Sequence, residues 1–195
     1  MPANQSSQDT HISEQDYLAG EQLAEVRHEY DNGKVYAMAG ASKRHNKIAR
    51  NLITSMADAA DHSGCETYFS DIKVRAEKYK TYYYPDVVVS CEQDDSSEYY
   101  LEKPCLIVEV TSASTLRKDY LEKALSYQSI DSLQAYLIVA QDKPQVDMLF
   151  RAEDRSWQLQ QFSQLEDELV LPCPDMTLTL AAVYSGIEFD VSNEE

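Results

Sequence analysis

The spacing of apolar positions changes several times along the chain, and each change predicts an element. Ser13 stands before Glu14 and Asp16 as a helix cap, and the pattern predicts a helix over 14–26. Arg27-His28-Glu29-Tyr30 and Lys34 to Met38 are strand-like runs on either side of Asp31-Asn32-Gly33. Asn-Gly in that place predicts a hairpin, because a type I′ turn needs positive φ at both central residues. Residues 42–61 predict a helix and residues 66–76 a strand. Tyr84 to Ser90 and Cys105 to Val110 are continuous apolar runs, each broken by one carboxylate, as in strands buried on both faces. A helix over 115–129 and a buried strand over Ala135 to Ala140 follow. Alternating runs at 145–151, 156–162 and 167–171 predict antiparallel strands, and a short helix near 178–186 closes the pattern. The expected fold class is α/β, a mixed β-sheet flanked by helices with additional antiparallel strands. It forms one domain over 13–187, between a polar tail at 1–12 and an acidic tail at 188–195, both expected to be disordered.

The two interruptions carry chemistry. Asp86 follows Pro85 and precedes Val87-Val88-Val89, and Glu109 lies within Leu106-Ile107-Val108-Glu109-Val110. Desolvating a carboxylate is costly unless something compensates it. Two acids on neighbouring strands repel each other unless a cation lies between them. Mg²⁺ answers that need with hard oxygen ligands, and Mn²⁺ is the natural substitute. The competing view places each acid at a strand end, solvated or capping a loop.

On a helix turning about 100° per residue, Leu116, Tyr120, Ala124 and Tyr127 form one apolar stripe, and Lys123 falls within it. Asp119 lies one turn earlier at its edge. Lys123 either points at the core, where it needs a carboxylate such as Glu109, or snorkels outward and pairs with Asp119. Leu121 and Leu125 form a second apolar patch, so both orientations stay open. In the 42–61 helix, Lys43, Lys47 and Arg50 share a stripe with Arg44 beside it, while His45 projects with Ile48, Leu52 and Met56. The basic group is either a phosphate-facing surface or an ordinary solvated face. His45 is expected to face inward, as a structural or a cleft residue.

Composition narrows these alternatives. The chain has 195 residues, 43% hydrophobic and 26% charged, as in a soluble globular protein. No apolar run is long enough to span a membrane and no signal peptide opens the sequence, so a cytoplasmic location without a membrane partner is expected. A net charge of −17 works against casual nucleic-acid binding, so a nuclease would need locally gathered basic residues or bound metal. Cys65, Cys91, Cys105 and Cys173 contain no CxxC pair. Zinc and disulfide frameworks are both weak readings, and reduced thiols are expected.

The order Tyr84-Pro85-Asp86, then Ile107-Val108-Glu109-Val110 with Ser112-Ala113-Ser114-Thr115, then Asp119-x3-Lys123-x3-Tyr127, resembles the restriction endonuclease family Uma-two of the PD-(D/E)XK nuclease superfamily. Glu29-Tyr30-x-x-Gly33 and the inward His45 fit the same pattern, and the resemblance covers roughly residues 13–187. It implies a restriction-endonuclease-like core, a four-stranded mixed sheet flanked by helices. It also implies a Mg²⁺-dependent endonuclease that hydrolyses phosphodiester bonds of DNA. Asp86 and Glu109 would be metal ligands and, with Lys123, the catalytic group; Glu29, His45, Asp119 and Tyr127 would be auxiliary. Lys43, Arg44, Lys47 and Arg50 would meet nucleic acid, and a homodimer is an open arrangement. One departure matters. The superfamily's usual lysine stands two residues after the second acid, where this chain has Thr111, and the resemblance places it on the next helix as Lys123. The alternatives are a degenerate nuclease fold that binds nucleic acid or protein without cutting, and an acidic interaction module.

Overall fold

The computed structural model describes residues 11–92, 97–112 and 115–189. Helix α1 (Glu14–Glu21) begins where expected, with Ser13 Oγ accepting the Asp16 N–H at 3.1 Å. It ends five residues earlier than the predicted 26. The chain leaves the helix so that buried Glu21 can accept the His28 N–H at 2.7 Å and the Tyr84 hydroxyl at 3.0 Å. The hairpin forms as predicted: Asn32 (φ 41°) and Gly33 (φ 98°) join β1 (His28–Asp31) to β2 (Lys34–Ala37). Helix α2 (Lys43–His62) is capped by Ser42 Oγ on the His45 N–H.

The predicted strand at 66–76 is instead two strands in different sheets, β3 (Glu66–Phe69) and β4 (Lys73–Ala76). Ser70 and Asp71 between them have φ of 37° and 62°, a left-handed pair that breaks extended backbone. There follow β5 (Thr81–Tyr83), β6 (Val87–Ser90), β7 (Tyr100–Leu101) and β8 (Leu106–Thr111). The next helical rod is not uniform. It runs as α3 (Leu116–Lys118), a π-helical turn (Asp119–Lys123) and α4 (Ala124–Gln128). Then come β9 (Ala135–Ala140), β10 (Val146–Arg151), β11 (Trp157–Phe162), β12 (Glu168–Pro172), β13 (Asp175–Thr179) and α5 (Leu180–Val183).

The main sheet has six strands in the order β11-β10-β9-β8-β6-β3, wider than the expected four. It is mixed, with β8 and β9 parallel and the other neighbours antiparallel. Alternation along β6 and β8 sends Val87, Val89, Leu106 and Val108 to a core under α2, β12, β13 and α5. Val88 and Ile107 point to the opposite core, with Tyr83, Ala124 and Tyr127. A second sheet, ordered β2-β1-β5-β4-β7, carries a tyrosine cluster of Tyr17, Tyr30 and Tyr82. The helical stripe is therefore only half right. Ala124 and Tyr127 are buried, whereas Leu116 is 45% exposed.

The expected disordered tails extended too far inward. Ile12 donates its N–H to the Gly33 carbonyl and accepts from the Tyr30 hydroxyl, and Phe189 packs on Tyr184. Residues 1–10 and 190–195 lie outside the described residues. Among the described residues no helix is long and apolar enough to cross a membrane. The cysteines also depart from expectation. The structure joins Cys65 to Cys91 and Cys105 to Cys173, with the two pairs in contact. Linear spacing could not show this, because the residues come from four separate parts of the chain.

Candidate active site

Strands β6 and β8 pair with Val87 opposite Val108 and Val88 opposite Ile107. Extending that register by one residue sets Asp86 opposite Glu109. Asp86 Oδ2 accepts the Val110 N–H at 2.6 Å and lies 3.1 Å from His45 Nε2. Glu109 Oε1 accepts from Lys123 Nζ at 2.8 Å and from the Tyr127 hydroxyl at 3.0 Å. Each acid thus commits one oxygen to protein. Among the described residues Asp86 Oδ1 and Glu109 Oε2 have no protein partner. Both acids line an open cleft of about 520 Å³ with Glu29, His45, Lys118, Asp119 and Lys123. His45 reaches the cleft from α2, as its place among apolar positions predicted.

Lys123 is the hub. Besides Glu109 it meets Glu29 Oε1 at 2.9 Å and Asp119 Oδ1 at 3.7 Å, and it is only 6% exposed. The two views of Lys123, core-facing or paired with Asp119, merge: it points inward and Asp119 is the most distant of its three acids. Glu29 is not free to act as a simple acid near a metal, since its other oxygen bonds Lys118 Nζ. Sequence reasoning missed Lys118, because a regular α-helix would turn it away from the Lys123 stripe. The only signal was the excess of acids over lysines among the candidate residues.

Burial pushes Glu109 well above the ordinary carboxyl range; Lys123 opposes this, and Asp119, Asp86 and Glu29 add to it. Burial also raises Asp119. In Glu29, burial acts upward but Lys123 and Lys118 overcome it, leaving the carboxyl below its usual range. Burial would lower Lys123, yet Glu109, Glu29 and Asp119 together raise it, so it stays an ammonium. For His45 burial acts downward, and the bond to Asp86 reverses it into a net rise. Four acids, Glu29, Asp86, Glu109 and Asp119, thus face two lysines, Lys118 and Lys123, across the cleft, and the upward shifts of Glu109 and Asp119, caused first by burial, also express that crowding.

A pH dependence follows for the metal-free chain. Glu109's folded-state pKa is raised, so its contribution is complete below the unfolded value of about 4.3 and is lost as pH rises toward the folded value. Glu109→Gln still offers Lys123 and Tyr127 an acceptor but cannot ionise. It should melt with wild type at about pH 4 and above it at about pH 8. Thermal melts in chelator across that range measure this; a variant less stable than wild type at the alkaline end defeats the assignment.

The basic group on α2 is only in part the open solvent face expected: Lys43 and Arg50 are exposed, whereas Arg44 and Lys47 are engaged by the chain. Lys47 Nζ bonds the Gly186 carbonyl, and Arg44 bonds the Glu188 carbonyl at 3.2 Å and lies over the Phe189 ring. Arg50 donates to its neighbour Asn51 Oδ1 at 3.0 Å and is itself exposed, as is Lys43. These bonds tie the segment after α5 to the side of α2.

A family model described as "Putative restriction endonuclease" and named Uma2 matches residues 14–181. The chain belongs to the Uma2 family. The chain is similar in sequence to two proteins from Synechocystis sp. (strain ATCC 27184 / PCC 6803 / Kazusa). "Uncharacterized protein slr1290" is 33% identical over 179 residues, covering 91% of this chain and 94% of the relative. "Uncharacterized protein sll1609" is 32% identical over 147 residues, covering 74% and 83%. The fold is also that of a crystal structure from Anabaena variabilis, described as "a putative nuclease belonging to DUF820". It has a TM-score of 0.65 and 14% identity, and the match covers 83% of this chain and 92% of that one. In this Uma2 chain Thr111 is buried against Thr115, with 3.1 Å between hydroxyls, and the lysine that meets Glu109 comes from the π-helical turn.

Proposed function

We propose that this Uma2 protein is a Mg²⁺-dependent endonuclease of the PD-(D/E)XK type that hydrolyses phosphodiester bonds of DNA. The observation that carries the proposal is the facing pair Asp86 and Glu109. Each keeps one carboxylate oxygen without a protein partner among the described residues, in a cleft where four acids face two lysines. A divalent ion with hard oxygen preference matches both the donors and the charge, and the two free oxygens are the atoms that would hold it. Bound there, such an ion supplies positive charge to phosphoryl oxygens and acidifies water.

The protein's own groups do the rest. Lys123, raised in pKa and therefore protonated, serves as a donor and not as a base. Two of its N–H bonds go to Glu109 and Glu29, and the third serves a water or a phosphate oxygen. Glu29 ties Lys123 to Lys118, so that both cations face the substrate from a fixed frame. His45 and the Val110 N–H hold Asp86 Oδ2 and thereby aim Oδ1. With Arg44 and Lys47 engaged by the chain itself, DNA would be held mainly through the cleft.

Incubation with supercoiled plasmid tests the reading. Nicked and linear products are expected with Mg²⁺ or Mn²⁺, and intact plasmid with a chelator. Intact plasmid, single-stranded DNA and RNA under every metal condition would sink it and leave the non-cutting binding protein.

A further inference from the structure

All four cysteines of this chain converge on one point at the end of the main sheet away from the cleft. Cys65 follows α2 and enters β3, Cys91 follows β6, Cys105 precedes β8, and Cys173 lies in the turn between β12 and β13. The sulfurs are joined as Cys65–Cys91 and Cys105–Cys173, but the contacts between pairs are equally informative. Cys91 Sγ lies 3.6 Å from Cys105 Sγ and 3.4 Å from Cys173 Sγ. The sulfurs of Cys65, Cys91 and Cys173 all lie within 4.8 Å of one another, and Cys105, outside that mutual distance, joins them through Cys91 and Cys173. Two independent staples have no reason to press their sulfurs together. One ion shared by four thiolates requires it: a Zn–S distance of about 2.3 Å puts tetrahedral sulfurs roughly 3.8 Å apart.

We propose that, as thiolates, Cys65, Cys91, Cys105 and Cys173 form a closed four-sulfur centre for Zn²⁺. Four soft sulfur donors select zinc over magnesium, so this centre and the carboxylate pair do not compete for one ion. Four protein ligands leave no open position, which makes the role structural. Three of the cysteines are buried and only Cys91 is exposed. The site also has a mechanical meaning. Asp86 and Cys91 flank β6 at its two ends, while Cys105 immediately precedes β8 and Glu109 lies near its far end, so each strand has a site carboxylate toward one end and a zinc ligand at the other. An ion at the sulfur end would hold together the two strands that set the spacing of the acids.

The test uses the full chain prepared anaerobically with a dithiol reductant. The Asp86→Asn, Glu109→Gln double variant is the background, so that the carboxylate pair cannot supply the metal. Elemental analysis is expected to show one zinc per chain retained through dialysis against Mg²⁺. Co²⁺ in its place should give the intense visible bands and sulfur-to-metal charge transfer of a tetrahedral thiolate complex. Cys91→Ser, at the exposed position, should stay folded by circular dichroism and lose roughly a quarter of the charge-transfer intensity, one thiolate of four. If the double variant does not fold, wild type is read by the same charge-transfer band, which carboxylates cannot produce. A folded, reduced chain that binds no zinc in excess Zn²⁺ overturns the proposal. So does cobalt bound without charge transfer, or a chain that folds only when its cysteines are oxidised to two disulfides.

Discussion

Lys123→Ala is expected to destabilise the metal-free protein by on the order of 3–5 kcal/mol, the usual result of removing one partner from a buried charge network. The variant leaves Glu29, Glu109 and Asp119 facing one another without their shared ammonium. An intact fold with lost activity, which the lysine's sequence position suggests, is therefore not the expected outcome. Mg²⁺ should restore part of the lost melting temperature, because an ion held by Asp86 and Glu109 returns positive charge to one of these acids and lies beside the others. Cleavage should stay at least ~10²-fold down, the cost of losing a placed donor at the developing charge. Lys123→Arg should recover little of either, since a planar fork does not fill the place of a compact ammonium held by two carboxylates. Melts with and without Mg²⁺, paired with plasmid cleavage, measure both parts. An unchanged melting temperature in Lys123→Ala would remove Lys123 from the network.

The second large effect belongs to Asp86. Asp86→Asn preserves shape and leaves a carbonyl oxygen for the Val110 N–H, so the strand pairing should hold. It removes one of the two free carboxylate oxygens and the negative partner of His45. Mg²⁺ should no longer raise the melting temperature, and cleavage should fall below detection. His45 should titrate lower than in wild type, because the group that raises it is gone. Calorimetry with Mg²⁺ and NMR titration of the His45 ring read these effects separately. Wild-type Mg²⁺ affinity in Asp86→Asn would refute the metal site while leaving the histidine pairing intact.

The parts of this site that sequence made legible are those governed by short-range rules. Asn32-Gly33 needs positive φ twice and so announced its hairpin. Asp86 and Glu109 stood out because a lone acid in an apolar strand needs compensation, and His45 because its helical period is regular. What stayed hidden depends on long-range geometry or on irregular backbone. The strand at 66–76 looked continuous, yet two left-handed residues send its halves to different sheets. Arg44 and Lys47 looked as solvated as Lys43 and Arg50 because nothing local says that the Gly186 and Glu188 carbonyls will meet them. The cysteines looked scattered because their meeting place is made by four elements at once.

The π-helical turn at Asp119–Lys123 has a meaning for how such chains are compared. A π-turn takes up about one extra residue, so everything after it is rotated by on the order of 100° relative to everything before it. That phase slip separates Leu116, outside, from Tyr127, inside, although an unbroken α-helix would align them. A motif written as residue counts assumes constant phase. Two chains with the same lysine in the same place in space can therefore disagree by one position in any linear alignment. Two chains that align without a gap can likewise present different faces. The address of Lys123 is an angle as much as a number, and only helix phase restores the correspondence.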